Sequence, residues 1–303
     1  MAKLKKMVSA VGSIKDLNSA RAAFDDVSRV LPDEATFPPE DIRPATTAAR
    51  TLLLRITHAA TAQETTSQGD VFAIIHVPAA NDFAAVMALN PSAQIESGQS
   101  FATIADEGGW PVIVAMVEDV LGIRVDHVAE LESAALGRVI SELGGVPAYS
   151  RAAFSAGGTD FAEGTNHLDA STSGIFTSAD PVDDAGQTRT RNQRATLRAL
   201  IHALKTGGLA KDPNKGAAVL SHFASGIQRD AALTTLELGK IANSLRQLQA
   251  DDIAVVTVPT NSRREDNGTV LVDFDPEATA ALKGALAGND LPDFFRYLVS
   301  LGY

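Results

Sequence analysis

The chain contains no cysteine among its 303 residues, which excludes disulfides, thiolate nucleophiles and cysteine-based zinc sites together. Aromatic residues are scarce at 5%, with one tryptophan and three tyrosines, so the core is expected to be aliphatic and to include many small side chains. Such a core also suits an apolar ligand. Long apolar runs are missing too. The basic start MAKLKKMVSAVG resembles the head of a signal peptide, but Lys15 and Asp16 interrupt it, and neither a clear signal peptide nor a transmembrane helix is predicted. G-x-S-x-G, G-x-x-x-x-G-K-[ST] and H-E-x-x-H do not occur, which removes the best support for ordinary hydrolase, nucleotide-hydrolase and zincin chemistry. Cationic excess is lacking as well. A net charge of -11 disfavours nucleic acid as a partner, although a local basic patch still suits one phosphate group.

What is present is an ordinary globular composition, 45% hydrophobic and 21% charged, long enough for one large domain. Ile14, Leu17, Ala20, Phe24, Val27 and Leu31 recur at helical spacing and predict an amphipathic helix over 13–31, capped by Ser13. Prolines at 32, 38, 39 and 44 make the next stretch an extended linker. The expected division is therefore an N-terminal helix and linker over 1–45 and a main domain over 46–303. Runs at 49–59, 70–79 and 83–90 predict central strands. A helix over 108–122, with Pro111 in its first turn and Gly122 beyond its end, precedes a strand at 125–131. Helices are expected at 132–145, 190–208, 214–225 and 231–249, and strands at 252–259 and 268–274. Alternating strands and helices, with late strands free to pair antiparallel, define an α/β class with a mixed central sheet.

The six histidines, at 58, 76, 127, 167, 202 and 222, are scattered, and none is assigned to a metal. The arginines are not scattered: Arg189, Arg191, Arg194 and Arg198 fall within VDDAGQTRTRNQRATLRAL. A helix from Thr190 places Arg191, Arg194 and Arg198 on one face, with Leu197, Leu200, Ile201 and Leu204 on the other. That arrangement suits a phosphate or pyrophosphate at the helix start. The competing reading is a solvated face paired to Asp183 and Asp184, worth only ~0–1 kcal/mol per pair.

The segments GGWPVIVAMVEDVLGIRVDHVAEL, LGRVISELGGVPAY and GGTDFAEGTNHLDA, in that order, resemble the LytR-CpsA-Psr family. Its members transfer glycopolymers from polyprenyl-diphosphate carriers to the bacterial cell wall, outside the cytoplasmic membrane and on a membrane anchor. The resemblance implies an α/β/α sandwich that holds a lipid tail in an apolar pocket and clamps a diphosphate with arginines and Mg2+. The charged positions depart from that pattern. Where the family has Gly-x-Asp, this chain has Arg55, Ile56 and Thr57; Arg-Ser-Asp becomes Gln68, Gly69 and Asp70; Pro-Arg-Asp becomes Asn90, Pro91 and Ser92. An Arg-x-Arg pair falls on Ser178 and Asp180, and Asp-x-x-Arg-x-x-Arg-Gln on the run from Asp184, with Gln187 at the first arginine.

The resemblance leads to a catalytically degenerate family member that binds a polyprenyl (di)phosphate or a partner protein in envelope assembly. The alternative is an active phosphotransferase attaching glycopolymers to peptidoglycan. In that case Arg191 and Arg189 carry catalysis, Arg189, Arg191, Arg194 and Arg55 bind phosphate, and Asp70 holds Mg2+. It requires Arg55 and Arg191 to share one cleft. A third reading is a plain α/β domain with an unrelated partner.

Overall fold

The computed structural model describes residues 19, 21–22, 24–32, 35–58, 67–95, 98–182, 184–209, 212–288 and 291–302. Its strands, in chain order, are β1 (Arg29–Val30), β2 (Arg50–Thr57), β3 (Val71–Val77), β4 (Ala84–Leu89), β5 (Ala93–Gln94), β6 (His127–Glu132), β7 (Val146–Ser150), β8 (Phe154–Ala156), β9 (Thr159–Phe161), β10 (Gly164–Leu168), β11 (Ile227–Arg229), β12 (Ile253–Thr257), β13 (Thr260–Arg264) and β14 (Val270–Phe274). The main helices are α1 (Phe101–Leu121), α2 (Ser133–Glu142), α3 (Ser173–Ser178), α4 (Gln187–Thr206), α5 (Pro213–Ala224), α6 (Thr235–Gln247), α7 (Pro276–Ala287) and α8 (Leu291–Ser300).

A seven-stranded sheet in the order β1-β11-β6-β2-β3-β4-β12 forms the centre. β2 and β4 pair antiparallel with β3, while β2–β6 and β4–β12 are parallel. Alternation along β2 sends Leu52 and Ile56 to one core and Leu53 to the other, as the pleat requires. The first core continues through Val139, Leu197, Val219 and Ile241 on α2, α4, α5 and α6. The second continues through Ile113, Val117, Leu282 and Phe295 on α1, α7 and α8. The result is the expected α/β/α sandwich. With both faces covered, β4 is buried along its whole length, so it reads as a continuous apolar run.

Several boundaries differ from expectation. α1 starts at Phe101, capped by the Ser100 side chain, and bends at Gly109 (φ 64°, ψ −163°) before resuming near Pro111. Pro111 thus opens only the second half of a longer helix. α4 starts at Gln187 rather than Thr190, behind a left-handed Gly186. Hairpins β7–β10 and β8–β9 and the strand β13 also join the expected elements.

Residues 13–18, 20 and 23 of the predicted 13–31 helix lie outside the described residues; residues 24–27 are helical, the chain is already a strand at 29–30, and Phe24 is fully buried. The described parts of the segment before residue 46 pack against the rest of the chain. β1 pairs with β11, and the Arg229 guanidinium lies 5.7 Å from the Phe24 ring. Past β1, the described residues of the Pro-rich stretch include a short 3-10 turn at Glu40–Ile42. Arg43 anchors it, reaching the buried Glu118 carboxylate at 2.6 Å and stacking over Phe37 at 4.7 Å. Among the described residues no helix is long and apolar enough to cross a membrane.

Candidate functional site

The N-terminus of α4 organises the site. Asp184 accepts hydrogen bonds from Thr188 N at 3.0 Å and Thr188 Oγ1 at 2.6 Å, so a carboxylate of the chain already sits at this positive helix end. Glycine is required at 186: its φ is +76°, and a Cβ there would lie 2.6 Å from Arg189 Nη2 and 2.9 Å from Ser92 Oγ.

Arg189 points inward from the first turn and is only 4% exposed. Its Nη2 donates to Ser92 Oγ at 3.1 Å, and its Nη1 lies 3.2 Å from Asp180 Oδ2. One turn further on, Gln193 Nε2 donates to the backbone carbonyls of Asp70 (3.1 Å) and Thr177 (3.0 Å), tying α4 to the start of β3 and to α3. Beside them His58 Nε2 meets Thr177 Oγ1 at 2.9 Å. Burial, helped by the nearby Arg189 charge, lowers the His58 pKa to about 4. The ring is therefore neutral near pH 7.

Arg55 belongs to a different cluster. Its Nε donates to Asp70 Oδ2 at 2.7 Å and its Nη2 to Ser67 Oγ at 2.6 Å. Asp106 on α1 and Glu130 on β6 lie 3.9 and 3.8 Å from the same guanidinium. Burial raises the pKa of Asp70 and of Glu130, with the Arg55 charge opposing the rise in both. The guanidinium also lies 5.6 Å from the ring of Phe72, a member of the core beneath α1. α4 packs on the opposite core. Arg55 and Arg191 therefore stand on opposite faces of the sheet, and the single cleft required for a rebuilt diphosphate clamp is not formed.

Asp70 does not fit a magnesium ion either. Its Oδ2 is engaged by Arg55 and its Oδ1 by the His58 backbone N–H at 3.1 Å, and a guanidinium lies where a divalent cation would need space. Arg55 is thus a counter-charge for carboxylates, and Asp70 is its partner.

The remaining arginines of α4 face β12. Arg194 Nη1 donates to the Gly302 carbonyl at 2.9 Å, and Arg198 Nη2 to the Val255 carbonyl at 2.7 Å. Arg191 is half-exposed, with its guanidinium 4.0 Å from Asp184; the other predicted partner, Asp183, lies outside the described residues. Arg191 and Arg194 line a small cleft together with Arg151, just past β7. Sequence reasoning missed Arg151, Asp106, Glu130 and Gln193. Arg189, Gln193, Thr196 and Leu200 are all buried at i, i+4, i+7 and i+11, a spacing that carried the inward face, but its polar members hid it from a search for apolar periodicity.

This sandwich is shared with several solved structures. TagV of B. subtilis matches with a TM-score of 0.62 at 16% identity, covering 78% of this chain and 95% of that one. A LytR-Csp2A-Psr enzyme from Actinomyces oris matches with a TM-score of 0.62 at 17% identity, covering 86% of this chain and 98% of that one. TagT bound to LI-WTA matches with a TM-score of 0.60 at 16% identity, covering 83% and 97%. No curated protein is similar in sequence at a significant level. Residues 63–287 match the LytR_cpsA_psr family, and the chain belongs to this cell-envelope family. Of the positions that the resemblance assigned to the clamp, Ser92 and Asp180 meet at Arg189, while Arg55 and Asp70 belong to the separate cluster. Their side chains are what differ.

Proposed function

We propose that this chain is a catalytically silent member of its family, which binds an anionic polyprenyl-(di)phosphate-linked glycopolymer and does not transfer it. The observation that carries this reading is the ion pair between Arg189 and Asp180. An aspartate occupies a position where the family resemblance implies an arginine, and it neutralises the buried Arg189 guanidinium. The Arg55–Asp70 pair supports the same reading on the other face, because it engages the remaining candidate metal carboxylate. Charge developing on a transferred phosphoryl group needs preorganised cationic donors, and removing one such donor typically costs ~2.7–4 kcal/mol of barrier. Several replacements together leave no effective phosphoryl-transfer site. Retention of the fold and of an arginine-lined surface at α4 supports ligand binding, as does a structural relative described as bound to LI-WTA. Location in the envelope, outside the cytoplasmic membrane, follows from family membership and is part of this proposal.

The test is a transfer assay with a polyprenyl-diphosphate-linked glycopolymer and peptidoglycan, with and without Mg2+. The expected outcome is no product above the protein-free blank and no response to Mg2+. Mg2+-dependent transfer by the unmodified chain would overturn the proposal and restore the phosphotransferase reading.

A further inference from the structure

We infer that Arg151, Arg191 and Arg194 form a phosphoryl-binding site on the β12 flank of α4, separate from the Arg189 position. The inference builds on the ligand-binding half of the proposed function and gives it a location.

These residues line a cleft of about 220 Å³ with Asn90, Gln187 and Thr260 among its polar neighbours. Among the described residues no acidic side chain lines it. Among the described residues, moreover, no carboxylate forms an ion pair with Arg151 or Arg194, whereas Arg189 pairs with Asp180 and Arg55 with Asp70, Asp106 and Glu130. In a chain of net charge -11, three guanidiniums converge here and, among the described residues, the half-exposed Arg191 alone approaches a carboxylate, Asp184 at 4.0 Å, which favours an external anion. Arg194 shows the cost of their proximity: burial and the like charges of Arg198, Arg151 and Arg191 lower its pKa to about 10. An anion among the three removes this repulsion and supplies acceptors for their planar N–H forks.

Size sets the ligand class. The cleft is smaller than the roughly 300–1,000 Å³ of sites that enclose drug-sized molecules, so it suits a compact phosphate group and leaves the rest of its carrier outside. Arg151 comes from the end of β7 while Arg191 and Arg194 come from α4, so two separate elements grip the same group. The Arg189 side offers no equivalent, because Asp180 and Ser92 already engage that guanidinium.

Calorimetric titration of the whole chain with inorganic phosphate at low ionic strength reads the site directly. Arg151→Gln and Arg191→Gln are each expected to weaken binding about 10-fold, the equivalent of about 1.4 kcal/mol. Arg263→Gln, which removes an exposed arginine from β13, is expected to leave binding unchanged. Because Arg151 is exposed, its variant should fold, and a circular-dichroism melt checks this. A wild-type chain that takes up no phosphate, or an Arg151→Gln chain that binds it equally well, overturns the inference. Asp180→Asn separates this idea from the functional proposal: tighter binding on freeing Arg189, with no effect of Arg151→Gln, would put the anion on the other flank and leave the absence of transfer intact. Titrations with polyprenyl monophosphate in phosphatidylcholine vesicles and with a soluble phosphodiester glycopolymer then identify which carrier presents the phosphate, and Arg151-dependent binding of either supports the site.

Discussion

Arg189 and Asp180 face each other at 3.2 Å, the arginine almost wholly buried and the aspartate about one-third exposed. The pair closes one flank of α4 with charges from within the chain, which leaves the electrostatic demand of that flank met before any ligand arrives.

Asp180→Ala should destabilise the fold by about 1 kcal/mol, because it strips a partner from a buried guanidinium while solvent at the exposed carboxylate limits the loss. Asp180→Asn, which retains an acceptor, should lose less than Asp180→Ala. Urea unfolding of the three chains measures the order, and equal stability of the alanine variant and the wild type would show that the pair contributes nothing.

Much of this fold was legible in the sequence because burial writes plain patterns. β2, β3 and β4 are covered on both faces, so their apolar runs stand out, and the sandwich follows from their alternation with helices. The start of α4 was misjudged because Gly186 and Asp184 provide the helix entry and cap four and six residues before Thr190. The site was less legible for a different reason. The grouping of Arg55 with Asp106 and Glu130 joins a strand, a distant helix and a second strand, and no local spacing encodes such a contact. Arg151 is likewise a lone arginine until the fold brings it beside Arg191 and Arg194.

Arg55→Met should be severely destabilising, by about 3–5 kcal/mol, since it leaves Asp70 and its acidic neighbours without their cation. The double variant Arg55→Met/Asp70→Asn should recover part of the loss by removing the stranded charge. Chemical denaturation of the single and double variants tests this coupling, and strict additivity of the two substitutions would refute it.

Acidification below about pH 6.5 should weaken the fold through two buried histidines. His58 and His76 each have a folded pKa lowered from 6.5 to about 4, chiefly by burial. Between those values the unfolded chain binds protons that the folded chain does not. Their contribution is therefore complete above about pH 6.5 and is lost as the pH falls towards 4, with a limiting slope of about 1.4 kcal/mol per pH unit for each ring. His58→Gln should flatten the fall in unfolding free energy between pH 6.5 and 5, and an unchanged slope would remove His58 as its source. The raised pKa of Asp70 acts in the opposite direction, because protonation is easier in the folded chain than in the unfolded one.

Arg43→Ala tests whether the Pro-rich segment is an integral part of the domain. Arg43 and Glu118 have side chains only 6% and 4% exposed, and Glu118 Oε1 also accepts the Val125 backbone N–H at 2.9 Å. Removing the guanidinium leaves that carboxylate buried with a single neutral donor in place of an ion pair, so the expected loss is about 3–5 kcal/mol of global stability. A free linker would behave otherwise, since its residues could be substituted with no change in the denaturation midpoint. Arg43→Ala/Glu118→Gln should restore part of the stability, because a neutral amide costs less to bury than an unpaired charge. Partial rescue in urea unfolding, together with slower proteolysis near residue 43 than in the single variant, would place the segment energetically within the domain; a single variant as stable as the wild type would place it outside.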